Sequence, residues 1–172
     1  VNVDKVQGVM AELDRRAREY RSLSQKSAEY AEHFDKANDW QTPEAKARAV
    51  VRYETLAEGF ARRAREMEAM SQGLFGALYD REEGKDGREP TKVDGVRCVM
   101  GEMWSRTREY RSIVRELATV AEKAKASDDW YTPEDQVRAV VRYETLVEGL
   151  TRQAQEMDDL SQGLFGALHP EK

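Results

Sequence analysis

Cysteine, histidine and proline are all scarce in this chain of 172 residues, and each scarcity excludes something. Cys98 is the sole cysteine, so no disulfide can form within the chain; that fits a reducing compartment, although a helical chain of this size needs no disulfide anywhere. Four prolines and eleven glycines leave long stretches with nothing to break a helix. No run comes near the roughly 18 apolar residues needed to cross a bilayer. No charge of one sign dominates either. Arginine and glutamate alternate to a net charge of -5, which gives no reason to expect nucleic acid or an anionic membrane as partner. The chain opens on Val1, which points to a processed form or an excised fragment.

What is abundant is Ala, Glu, Arg, Leu and Met, in a chain that is 35% charged with a mean hydropathy of -0.82. This is the composition of a helix-rich, water-facing chain. It is also a duplicated one. "RAVVRYETL" stands at Arg48–Leu56 and again at Arg138–Leu146, and Val3–Leu78 aligns with Val93–Leu168 without a gap, with about 43 of about 76 residues identical. The expected organisation is a helical hairpin repeat over 1–78, a flexible charged linker over 79–92, a second hairpin repeat over 93–168 and a tail over 169–172.

Each copy is divided once, at "NDWQTPE" and "DDWYTPE". Thr42 and Thr132 are suited to N-caps, Pro43 and Pro133 to the first helical position, and Glu44 and Glu134 to the positive end of the helix dipole. Before the cap, Val6, Met10, Leu13, Ala17, Tyr20, Ser24, Ser27, Ala31 and Phe34 fall on one helical face; the second copy should improve it, with Val114 and Leu117 in place of two serines. After the cap, Val50, Tyr53, Ala57, Phe60, Ala64, Met67, Leu74 and Leu78, with Leu56, Ala61, Met70 and Phe75, cover about half the circumference. A two-stranded seam would need less, so this breadth predicts two or more neighbours. The fold class is therefore all-α: two tandem αα-hairpins packed as an antiparallel four-helix bundle, with an extended or swapped arrangement as the alternative.

The residues that carry chemistry are not arranged for it. His33 and His169 occupy non-equivalent places in the repeat, and no Glu-x-x-His pair of the di-iron bundle type occurs. Cys98 aligns with Gly8 and reads as a small filler. The carboxylates sit among arginines at helical spacing, as on a solvated surface. No catalytic residue, cofactor or metal site is expected, and the chain is expected to be non-enzymatic. The basic clusters "RRAREYR" (Arg15–Arg21) and "ARRAR" (Ala61–Arg65) thin in the second copy to "SRTREYR" and "TRQAQ", which argues against phosphate tracking.

One strip of the second helix is kept whole. Glu44, Arg48, Arg52, Thr55, Gly59, Arg62, Glu66 and Gly73 recur as Glu134, Arg138, Arg142, Thr145, Gly149, Arg152, Glu156 and Gly163. Most point away from the apolar sector, and a mid-helix glycine costs about 1 kcal/mol unless another backbone comes close. The expectation is an interface, to a protein partner or to another copy of the repeat, built on Arg48, Arg52, Gly59, Arg62, Glu66, Arg138, Arg142, Gly149, Arg152 and Glu156. Trp40 and Trp130, beside the caps, either plug the ends of the bundle or serve as binding anchors. The turn tryptophan resembles that of the small WXG-type hairpins of type VII secretion, with Thr42 and Thr132 where that family has glycine. "SQGLFGAL" (Ser71–Leu78 and Ser161–Leu168) should close the core with Leu74, Phe75 and Leu78. The function expected is a helical module for protein–protein interaction or spacing, from a longer bacterial surface or secreted protein; the alternative is an intracellular adaptor or self-assembling scaffold. Self-association is the other partner considered.

Overall fold

In the computed structural model, which describes residues 1–79 and 91–169, both interior caps form. Thr42 Oγ1 accepts from the Ala45 N–H and Thr132 Oγ1 from the Asp135 N–H, each at 3.1 Å. The caps start two of four helices: α1 (Val3–Lys36), α2 (Pro43–Tyr79), α3 (Lys92–Ala126) and α4 (Pro133–Leu168). α1 begins on Asn2, whose side chain accepts from the Lys5 N–H at 3.1 Å. α3 begins on Thr91, in a reciprocal capping box with Asp94. Tyr79 thus still belongs to α2, and Thr91 and Lys92 already belong to the start of α3. The rest of the expected linker, and residues 170–172 of the tail, lie outside the described residues.

α1 pairs with α2 and α3 with α4, and the two hairpins pack on each other within the chain. The shared core takes Val6, Leu13 and Ala17 from α1, Ala64, Met67, Met70 and Leu74 from α2, and their counterparts from α3 and α4. α2 touches all three other helices, as does α4, whereas α1 and α3 do not meet. This is why α2 and α4 carry the broad apolar sector. A helix on the short diagonal of a rhombic bundle is covered on three sides, one on the long diagonal on two.

The order of contacts fixes the direction of the hairpins. Asn2 N donates to Ala167 O at 2.9 Å, and farther along the same pair of helices Tyr20 meets Glu156, so α1 and α4 run antiparallel. On the opposite side a Cβ at Gly95 would lie 2.6 Å from Ala77 Cβ, and Tyr110 meets Glu66, so α2 and α3 do the same. Both turns therefore lie at one end, and α2 and α4 run parallel across the diagonal. The core fills the opposite, basal half. Among the described residues, no hydrogen bond or ion pair joins the hairpins on the turn side of Arg52 and Arg142. Beyond that level the turn-side part of each hairpin, its arm, has buried residues of its own, Val50 and Val51 in the first and Val140 and Val141 in the second.

Val114 and Leu117 pack against the shared core as partly buried residues, whereas in the first copy Ser27 is buried and Ser24 Oγ donates to Ala57 O at 2.8 Å. One packing expectation is corrected. Phe75 does not close the core. It is half exposed, as is Phe165, because Leu74 and Leu78 take the inward positions and Phe75 stacks outward on Tyr79 at 4.8 Å.

Candidate functional site

The strip repeated between copies lies largely on the seam between the hairpins, where it meets its own duplicate. Thr55 and Thr145 are buried, and with Gly59 and Gly149 they line one small space between α2 and α4. Arg52 reaches Glu148 at 3.3 Å and Arg142 reaches Glu58 at 3.2 Å, two reciprocal ion pairs about a pseudo-two-fold axis along the bundle. These pairs are half exposed, so each contributes less than about 1 kcal/mol.

Below them sits a more buried polar layer. The Tyr110 hydroxyl donates to Glu66 Oε1 at 2.5 Å, and Arg106 lies 3.4 Å from the same carboxylate. In mirror position the Tyr20 hydroxyl donates to Glu156, with Arg16 at 3.8 Å. Each tyrosine comes from the first helix of one hairpin and each carboxylate from the second helix of the other, so both bonds tie hairpin to hairpin. Burial, and secondarily the facing carboxylate, pushes the Tyr20 phenol up to about 12 and raises that of Tyr110 still further.

The symmetry breaks at one position. Arg63 is buried on α2, and its equivalent on α4 is Gln153, also buried. Gln153 donates to Glu66. Arg63 instead donates to the Gly149 carbonyl and lies 5.5 Å from the ring centroids of both Tyr20 and Phe60. Burial lowers the pKa of its guanidinium, opposed by Tyr20 and Glu156. The two glycines consequently differ. A Cβ at Gly149 would stand 2.9 Å from Arg63 Nη2, whereas one at Gly59 meets nothing within 4 Å, so no backbone approach accounts for Gly59.

The rest of the strip lies outside this layer. Arg48 and Arg138 are exposed on the arms, Arg138 on Glu134 at 2.8 Å. Arg62 is half-buried beside Glu66, and Arg152 is exposed. Trp40 and Trp130 belong to the turns: each indole N–H donates at 3.1 Å to the last turn of the preceding helix, Trp40 to Phe34 O and Trp130 to Ala124 O. Each ring closes its own hairpin. The sequence reading missed Arg63, Gln153, Glu58 and Glu148. At 63 and 153 an arginine in one copy stands against a glutamine in the other, but Arg65 and Gln155 show the same exchange at exposed positions, so the sequence does not single the pair out.

Among the described residues no three His, Cys, Asp or Glu side chains converge as a metal site, and no helix is long and apolar enough to cross a membrane. The fold and seam define an intrachain four-helix bundle made from two duplicated hairpins. No family model, curated protein or solved structure matches the chain.

Proposed function

We propose that this chain is a non-enzymatic helical module that binds protein partners, or sets the spacing between them, through its two arms. The observation that supports this reading is the shape left by the seam. The shared core cluster lies in the basal half, and both turns project from the same end. Each arm leaves apolar and aromatic side chains in solvent. Tyr30 is 53% exposed on the first arm, Val120 is 40% exposed on the second, and Tyr131 stands fully exposed in the second turn. Exposed tyrosines on a rigid helical frame are efficient contact residues, because they add area at little entropic cost. Arg48, exposed on the first arm with no ion pair among the described residues, adds a planar donor for a partner's carboxylates.

The test is photo-crosslinking in the native host, with benzoylphenylalanine at Tyr30 or Tyr131 and at Gln72 on the basal surface as control. A discrete protein adduct from the arm positions, absent from the basal one, is expected. Adducts at neither arm position would remove the reading, and adducts only to a second copy of the chain would replace it with self-assembly.

A further inference from the structure

The two hairpins share their helix lengths and turns but not the approach of one helix to the other. In the first, Ala57 and Ala61 offer α1 nothing larger than a methyl group, and Ser24 bonds directly to the Ala57 carbonyl. The second carries Val114, Val147 and Thr151 at the equivalent places, and here a groove of about 1030 Å³ runs open along α3 and α4. Val114, Val147 and the buried Ala154 supply an apolar floor, and Arg111, Arg115 and Arg152 stand around it. Arg111 is engaged by Asp158 at 3.1 Å, and Glu148, the carboxylate of the lining, is engaged by Arg52. Arg115 and Arg152 make no ion pair among the described residues.

We propose that this groove seats an amphipathic helix of a protein partner, its apolar side chains on the Val114–Val147 floor and its flanking carboxylates against Arg115 and Arg152. The inference rests on the interaction reading above and extends it from the second arm to a face of the second hairpin just below that arm. The charge of the occupant follows from the two unengaged guanidinium groups, which favour carboxylates and repel basic segments. Its helical form follows from the walls. The backbone groups of α3 and α4 are spent within their own helices, so an extended peptide would find no ladder to join, while a helix brings its hydrogen bonds with it. Val147 to Ala154 spans roughly 10 Å of axis at about 1.5 Å per residue, enough for two anchors one turn apart.

The probe is a fluorescein-labelled, end-capped peptide of about 14 residues, some 21 Å as a helix, with leucines at i, i+3 and i+7 and glutamates beside them. Anisotropy should show saturable binding to the intact chain. Three changes should each weaken it at least about tenfold: lysine for glutamate in the peptide, R115E/R152E in the chain, and V114S/V147A/T151A, which restores the residues of the closed first hairpin. R115E/R152E should in turn bind the lysine peptide. Circular dichroism checks that both variants fold; the charge reversal is at exposed positions and keeps the test available should the triple variant unfold. No saturable binding, equal affinity for the closed-groove variant, or occupation by palmitate with the peptide left free would overturn the proposal. Arm crosslinks without peptide binding would remove this groove alone and leave the broader interaction reading in place.

Discussion

Arg63 on α2 donates to the backbone carbonyl of Gly149 on α4, across the seam between two hairpins that are otherwise near copies of each other. That bond makes two identical glycines inequivalent. Gly59→Ala places its methyl in open space and gains helix propensity, so it should stabilise the chain by about 0.5–1 kcal/mol. Gly149→Ala gains the same propensity but puts a Cβ 2.9 Å from Arg63 Nη2, displacing a buried guanidinium from its acceptor. It should be neutral or destabilising, leaving a gap of about 1–2 kcal/mol between the variants in urea unfolding. Equal effects would mean that Arg63 does not hold that position in solution.

Removing the seam phenols should loosen one hairpin from the other. Tyr110→Phe and Tyr20→Phe each delete a buried bond to a carboxylate and should each cost about 1–2 kcal/mol. The loss should couple to the facing acid. In a double-mutant cycle, Tyr110→Phe in a Glu66→Gln background should cost clearly less than in the parent chain, and likewise Tyr20→Phe with Glu156→Gln. Additive effects would show that the bonds contribute nothing to the seam.

The same phenols set an alkaline limit. A free phenol ionises near pH 10, whereas Tyr20 is held protonated up to about 12 by burial and by Glu156, with Tyr110 raised in the same direction by burial and Glu66. The raised folded-state pKa means that this contribution is complete below pH 10 and is lost as pH climbs from there through 12. Stability measured against pH should fall across that window, with two tyrosines ionising late in the ultraviolet titration. The Tyr20→Phe/Tyr110→Phe chain should show a flatter fall.

The buried core, rather than the exposed ion pairs, should dominate the seam. Met67 and Met157 are fully buried in the shared cluster, and truncating either to Ala should cost about 2–4 kcal/mol. Replacing both Arg52 and Arg142 by Ala should change stability by less than about 1 kcal/mol per pair, and 1 M salt should reduce even that difference. Thermal and urea unfolding of the three variants would check the ranking.

Much of this molecule was written locally. The threonine–proline caps, the heptad-like stripe of α1 and the half-circumference apolar sector of α2 follow from hydrogen bonds and side-chain spacing within one helix or turn, so the sequence alone determined two hairpins and a bundle. The repeated arginine–glycine strip was visible in the same way, as a pattern at helical spacing. Where that strip points was not. The bonds joining Arg52 to Glu148, Tyr20 to Glu156 and Arg63 to Gly149 link residues 96, 136 and 86 positions apart, and no local pattern encodes which face of one copy will cover the other. Only the tertiary structure turned most of the strip onto its duplicate, left Phe75 and Phe165 outside, and closed the first hairpin while opening the second. The physical reason is that duplication supplies two equal surfaces, and their unequal fates depend on volume and charge at a few equivalent positions where the copies differ, such as Ser24 and Val114 or Arg63 and Gln153, that act only once the helices are side by side.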